Sequence, residues 1–332
     1  MNKKIAFYQP HIDIQGTGVA YFDFAHFNQE ILGNKSFMIY VEGDHRSHPL
    51  AIKKFQDSAV ETIAINAERM DLLEKKLEEL NVDAVYINKN GSSVDGRCVN
   101  NVPMLIHAGA CCNDPHGLVY AYTSEWLAKK MSNDQLPSVP YVVSLPEHDE
   151  DFREDLGIPR DATVISRMGG YYGWDIKFVN DAVIDSLKHR DDIYFLFVQT
   201  HEFYNSDRYA DSRERVKGKI IHMEPFADLH TKRKFINTSD ALLHARAVGE
   251  SFGHTCAEYS ICNKPAITYR HSPERSHIDL LGDKAFYYDD YDSVLDILVN
   301  FYPQPEEDWN AYRHLSPEPA MQKFKEVFLD KI

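Results

Sequence analysis

The sequence predicts an α/β chain built from two Rossmann-like, doubly wound parallel-sheet domains. Three observations point there. At 332 residues the chain is longer than one ordinary α/β domain and comfortable for two. Short apolar runs rich in β-formers alternate with longer helical patterns, the signature of parallel strands covered on both faces. An acidic stretch, Pro146-Glu147-His148-Asp149-Glu150-Asp151, separates two such series and reads as a linker.

In the first half the strand candidates are residues 5–8, 37–41, 84–87, 104–108 and 141–145. Between them, residues 68–80 have helical spacing, with Met70, Leu73, Leu77 and Leu80 on one face. In the second half, strands are predicted at 163–166, 193–198, 220–223, 241–244 and 266–269, with helices over 177–187, 228–236 and 254–262. Residues 206–219 are charged and poor in apolar side chains, which predicts a mobile loop or a solvated helix. Near the end, Pro317-Glu318 precedes Met321, Phe324, Val327 and Phe328 at helical spacing. The expected division is 1–147, then 148–308, with 309–332 forming a helix that returns to the first domain. Open α/β sheets bind ligands at the carboxyl ends of their strands, so chemistry is expected just after strands, in a cleft between the domains.

Composition narrows the function classes. Lys plus Arg number 36 against 51 Asp plus Glu, a net charge of −15, which argues against general nucleic-acid or anionic-lipid binding. No run approaches the roughly 18 apolar residues of a membrane span. The N-terminus leads straight into an apolar strand with no signal-peptide core. Five cysteines occur without a CxxC spacing, Cys111 and Cys112 being adjacent. This predicts reduced thiols, a cytoplasmic location and no zinc site.

The segment richest in chemistry is His244-Ala245-Arg246-Ala247-Val248-Gly249-Glu250-Ser251-Phe252-Gly253-His254-Thr255-Cys256-Ala257-Glu258. A strand ends near His244, a turn holding Gly249 and Gly253 follows, and a helix then runs to Lys264-Pro265. The backbone N–H groups of Phe252, Gly253, His254 and Thr255 stand at the helix N-terminus, a ready anion site. Gly253 has no side chain to hold a phosphate away. Glu258 lies in the second turn, and helical side chains lean toward the N-terminus, so its carboxylate is aimed at the same ligand. A carboxylate there would repel a phosphate but accept two hydrogen bonds from a ribose diol. Glu250 precedes the helix on the loop.

This segment resembles the E-x7-E signature of retaining GT-B glycosyltransferases of family 4, here Glu250-Ser251-Phe252-Gly253 through Glu258. The resemblance implies that Glu250 lies beside the donor sugar and that Glu258 holds the nucleotide ribose. It further implies a phosphate-binding Arg at the end of the second domain's first strand, where Ile165-Ser166-Arg167-Met168-Gly169-Gly170 offers Arg167. Arginine's fork suits two phosphate oxygens. The family's Lys a few residues later is displaced here by Tyr171-Tyr172-Gly173-Trp174-Asp175, which leaves Lys177 or Arg246 as the second cation. Ser251 completes the phosphate loop.

In the first domain, Gln15-Gly16-Thr17-Gly18-Val19-Ala20-Tyr21 resembles the glycine loop by which GT-B proteins approach the donor phosphates, so Gly16 and Gly18 are candidates. The same text partly matches the G-x-G-x-x-G of a NAD-dependent dehydrogenase. Tyr21, however, occupies the third glycine's place, and residues 9–15 make the turn too long. His107 ends a strand in Leu105-Ile106-His107-Ala108-Gly109, and by the resemblance lines the acceptor or sugar pocket. Ser124 or Thr123 is expected to cap the following helix. His11 and Asp13 follow the first strand on the acceptor side.

The function these readings imply is retaining transfer of a sugar from a nucleotide-diphosphate donor to a glycan or other hydroxyl acceptor. The donor is a substrate, so no cofactor is expected, and no DxD motif ends a strand, so no metal is expected. A nucleotide-sugar 2-epimerase of the same fold is the alternative.

Overall fold

The computed structural model describes residues 2–332. The chain divides into two compact units. One runs to Val143 and includes His314–Ile332, and the other is Ser144–Arg313.

The first unit contains β1 (Lys4–Tyr8), α1 (Gly16–Glu30), β2 (Lys35–Val41), α2 (Pro49–Gln56), β3 (Glu61–Ile65), α3 (Met70–Leu80), β4 (Ala84–Lys89), β5 (Met104–Ala108), β6 (Val119–Tyr122) and α4 (Glu125–Ser132). Its six strands pair in parallel in the order β3-β2-β1-β4-β5-β6. β4 is buried along its whole length, as expected of a central strand covered on both faces. Ser124 caps α4 by accepting from Leu127 N–H at 3.2 Å.

The second unit contains β7 (Thr163–Arg167), α5 (Lys177–Ser186), β8 (Ile193–Val198), α6 (Arg213–Val216), β9 (Ile220–Met223), α7 (Leu229–Thr238), β10 (Ala241–His244), β11 (Gly249–Glu250), α8 (His254–Ile261), β12 (Ala266–Tyr269), β13 (Glu274–Arg275), α9 (Ser276–Leu281), β14 (Ala285–Tyr288) and α10 (Tyr291–Asn300). Its main sheet is again six-stranded and parallel, in the order β14-β12-β10-β7-β8-β9. A core of Ile165, Val183, Phe195, Phe197, Leu243 and Ile267 fills one face of it. Both sheets reverse their strand order beside their first strand, between β1 and β4 and between β7 and β10. That switch point is where a doubly wound sheet opens a crevice at its carboxyl end.

The last helix, α11 (Pro317–Val327), belongs to the first unit. Phe324 stacks on Phe24 with ring centroids 4.8 Å apart, and Phe328 meets the edge of Tyr86 at 5.8 Å. Prolines in the first turn start it where no intrahelical N–H partner is lost.

Three features depart from the sequence reading. Residues 141–145 form no strand: they are buried but lack a ladder, and Val143 N–H reaches only Leu315 O, at 3.0 Å. β3, β6 and β14 are strands that the apolar pattern does not announce. The acidic stretch is fastened to the second unit, because Asn237 Nδ2 donates to the carbonyls of His148 (2.6 Å) and Glu150 (3.1 Å). Among the described residues no helix is long and apolar enough to cross a membrane.

Candidate active site

The site is assembled at the switch point of the second sheet, where β7 ends at Arg167 and β10 ends at His244. Beyond His244 the chain pairs β11 with β13 in a two-stranded parallel ribbon, Gly249 opposite Glu274 and Glu250 opposite Arg275. Gly249 has φ +80°, and a Cβ there would lie 2.0 Å from the Glu274 carbonyl oxygen, so only glycine lets the ribbon form. Gly253 begins α8 at φ +93°, where a Cβ would stand 2.8 Å from His277 Cβ. No side chain caps α8 and no acidic residue occupies its first turn. The amides of His254, Thr255 and Cys256 therefore keep the partial positive charge of a helix start. Phe252 is buried behind them.

The two glutamates sit in different surroundings. Glu250 Oε1 accepts from His244 Nε2 at 3.2 Å and Oε2 from Arg246 Nη1 at 2.8 Å. Burial acts to raise its carboxyl pKa, but the His244 hydrogen bond and the Arg246 charge outweigh it and hold the pKa down at about 2. Glu250 is thus an acceptor and a fixed negative charge, with no proton to give at neutral pH. Glu258 is buried one helical turn into α8 and accepts at Oε1 from Lys232 Nζ of α7, at 2.6 Å.

Arg167 is ringed by backbone carbonyls. Its Nη1 donates to the carbonyls of Gly169 (3.0 Å), Val198 (3.1 Å) and Gln199 (2.6 Å) and to Thr200 Oγ1 (2.7 Å), and Nη2 donates to Gly170 O at 2.6 Å. The fork expected for phosphate is spent on holding the loops after β7 and β8 together. Burial lowers its pKa to about 10, which leaves it cationic at neutral pH. The loop it shapes reaches α8: a Cβ on Gly169 would lie 4.0 Å from Thr255 Oγ1. The next stretch is tied to the other loop, since Asp175 Oδ1 accepts from Ala247 N–H at 2.7 Å. Lys177 opens α5 and is exposed. Ser251 and His254 are partly buried on the turn, and burial pushes the His254 pKa down to about 4.

His107 lies in the first unit, at the strand position its sequence predicts. It is fully buried, its Nδ1 lies 2.6 Å from Tyr86 Oη and its Nε2 2.8 Å from Val139 O. Phe24, Tyr141 and Phe328 surround the ring. Both nitrogens are satisfied inside the core of the first unit, so no lone pair or proton is offered to a substrate. Gly18 also has a packing reason, because a Cβ would collide with Asp13 O at 2.1 Å. Gly16 is the exposed first residue of α1. Tyr21, at the third position of the glycine pattern, donates to Tyr8 O (2.7 Å) and accepts from Asn88 N–H (2.7 Å).

Away from this site, His148, Glu150 and His230 bring one ligand atom each within 4.8 Å of one another. The two imidazoles are stacked face to face, with centroids 3.9 Å apart and planes 20° from parallel. Imidazole lone pairs lie in the ring plane, so stacked rings do not converge them on one ion.

No protein-family model matches the chain, and no curated protein matches it by sequence. Solved structures do. A glycosyltransferase from Rickettsia africae superposes with a TM-score of 0.70 over 99 % of this chain and 98 % of its own, at 17 % identity. HepE from Anabaena, in complex with UDP and glucose, gives 0.71 over 99 % and 100 %, at 11 % identity. AviGT4, a glycosyltransferase involved in avilamycin A biosynthesis, gives 0.60 over 98 % and 97 %, at 15 % identity. The fold is GT-B.

Within this GT-B fold, four residues that sequence reading does not single out for the site bond to its glutamates or to one another: Lys232 of α7, Thr268 of β12, His277 of α9, and His244 beyond its role as the end of β10. Their partners lie 26 residues away for Lys232 and 24 for the His244–Thr268 pair, and no local spacing signals them. Only the strand order and register bring them together.

Proposed function

We propose that the chain is a glycosyltransferase that moves a sugar, with retention of configuration, from a nucleoside-diphosphate sugar to a hydroxyl acceptor such as a glycan. The observation that supports it most is the turn from Glu250 to Glu258. It sets an uncapped helix start between a charged carboxylate on the loop and a buried one in the helix. The diphosphate lies on the amides of Gly253, His254 and Thr255, and charge developing on it as the sugar departs is met by these donors. Arg246, which stands on the same loop as Glu250, or Lys177 at the start of α5 supplies the second cation of the phosphate site, while Arg167 contributes its charge from behind the loop. Glu258 takes the ribose hydroxyls. Glu250 stays ionised at working pH, so it orients the sugar and stabilises positive character at its anomeric carbon. No metal and no resident cofactor enter this scheme. HepE binds UDP and glucose together, which makes UDP-sugars the first donors to test.

The test is a thermal-shift screen with UDP-, GDP- and ADP-sugars, followed by donor turnover in the stabilising member. Glu250→Gln keeps the shape and removes the charge. Turnover should fall roughly 100-fold or more, the scale of losing a preorganised electrostatic group, while affinity for the free nucleotide stays within about twofold. A protein that no nucleotide sugar stabilises, or a Glu250→Gln variant with unchanged turnover, would overturn the proposal.

A further inference from the structure

Behind Glu250 lies a chain of hydrogen bonds that the transfer chemistry above does not use. Parallel pairing of β10 with β12 sets His244 directly opposite Thr268. Their side chains meet, with His244 Nδ1 2.9 Å from Thr268 Oγ1. The β11–β13 ribbon leads straight into α9, which delivers His277 Nε2 to the same hydroxyl at 3.2 Å. His244 Nε2 faces Glu250 Oε1. Four side chains from four elements thus form one line, Glu250–His244–Thr268–His277.

The direction of the protons along that line follows from counting donors. Glu250 is ionised and only accepts, so His244 Nε2 carries a proton. Thr268 has a single proton and two imidazole neighbours. His277 decides where it goes. Burial above all pushes its pKa down to about 3, so the ring is neutral and holds one proton. His277 Nδ1 is buried with no hydrogen-bond partner. A proton there would be an orphaned buried donor, the rarer and costlier kind of unsatisfied group. The proton therefore sits on Nε2 and is donated to Thr268 Oγ1. The Thr268 hydroxyl in turn donates to His244 Nδ1, which must be a bare lone pair.

We propose that Thr268 and His277 are positioning residues that lock His244 in its Nε2–H tautomer and so aim the Glu250 carboxylate at the donor sugar. The tautomer of an imidazole is set by what its far nitrogen meets, and here that partner is a hydroxyl whose own proton is directed by a second imidazole. Without the hydroxyl, Glu250 alone favours Nε2–H, Nδ1 loses its partner, and the ring can turn its proton away from Glu250. The assignment of the tautomer stands on the structure alone. Its consequence for turnover rests on the reading of Glu250 given above.

The experiment uses the full chain labelled with 15N-histidine, read by long-range proton–nitrogen spectra at pH 7. The wild type should show His244 protonated on Nε2 with a bare Nδ1. Thr268→Val, nearly isosteric, should give a mixture of both tautomers, and Thr268→Ser should restore the single form. His277→Leu, which removes the far donor, should move the same signals and serves as the second variant if Thr268→Val does not fold. In UDP-glucose hydrolysis, Thr268→Val should lower kcat about tenfold, the scale on which partners behind a functional histidine act. UDP affinity should stay within about twofold, and serine should rescue kcat. A wild-type His244 protonated on Nδ1, or an unaltered tautomer in both Thr268→Val and His277→Leu, overturns the proposal. A tautomer shift in a protein whose Glu250→Gln variant turns over normally would instead sink the role of Glu250 and leave the relay standing.

Discussion

Glu250 and Glu258 are spaced one helical turn and a loop apart, yet their partners give them opposite tasks. Glu250 is tied to two cationic or proton-bearing side chains at the edge of the site, where a fixed charge can act on a sugar. Glu258 is enclosed with Lys232, and a buried ion pair is sensitive to losing one member, because the survivor is left charged in an apolar setting. Glu258→Gln is therefore expected to cost about 3–5 kcal/mol of stability, measured by urea unfolding. Adding Lys232→Met should recover most of that loss. Nucleotide affinity should behave differently: calorimetry with UDP should show a loss of about 1–3 kcal/mol in both the single and the double variant, since glutamine replaces one of the two oxygens that accept from the ribose diol with a donor. If UDP binds both variants as it binds the wild type, Glu258 belongs to the fold and not to the ligand.

At the scale of elements, the turn between β11 and α8 is fixed by glycines whose reasons can be separated. Gly157, outside this turn and ahead of β7, is the comparison: it has φ +65° and nothing within 4 Å of where a Cβ would stand, so Gly157→Ala should cost only the left-handed backbone, about 1 kcal/mol. Gly253 shares the positive φ but faces His277 Cβ at 2.8 Å, so Gly253→Ala should cost distinctly more, by thermal unfolding, and should also weaken nucleotide binding by shifting the helix start. Equal losses at the two positions would show that the His277 contact is relieved without strain. The same turn marks how far the sequence can be read. Gly249, Phe252, Gly253 and the two glutamates lie within one local segment, so strand, turn and helix are all legible there. β14 escapes such a reading although Ala285-Phe286-Tyr287-Tyr288 is rich in β-formers, because three of its four residues are only partly buried and the run is short. Residues 141–145 mislead in the opposite direction: apolar runs report burial, and a buried segment next to Pro140 and Pro146 need not join a ladder. Arg167 does stand at its expected strand end, but whether a guanidinium faces a ligand or a ring of carbonyls depends on loops about 30 residues away, with separations of 31 and 32 to Val198 and Gln199.

Across the whole molecule, the two units share one liability, histidines held neutral by burial. His107 in the first unit has its pKa lowered to about 4, and in the second unit His254 is lowered to about 4 and His277 to about 3. Burial is the largest cause in each case. An unfolded histidine titrates near 6.5. Between that value and the folded pKa, the unfolded chain binds protons that the folded chain refuses, so stability must fall as pH falls through this window. Above 6.5 these residues contribute no slope, and below about 3 to 4 their loss is complete. Each pH unit inside the window is worth about 1.4 kcal/mol per histidine, so acidification from 7 to 5 should remove roughly 2 kcal/mol for each. The first unit offers the clean test, since His107 donates from Nε2 to Val139 O and accepts at Nδ1 from Tyr86. His107→Gln retains a donor and an acceptor but does not titrate. Its stability at pH 7 should be lower than wild type, from imperfect filling of an aromatic pocket, while its further loss on going to pH 5 should shrink by about 2 kcal/mol. Denaturant unfolding at the two pH values, followed by a probe in the first unit, measures both quantities. An unchanged difference between pH 7 and pH 5 would mean that His107 takes up a proton in the fold as readily as in the unfolded chain, and with it the picture of a neutral imidazole clamped between Tyr86 and Val139 would fail.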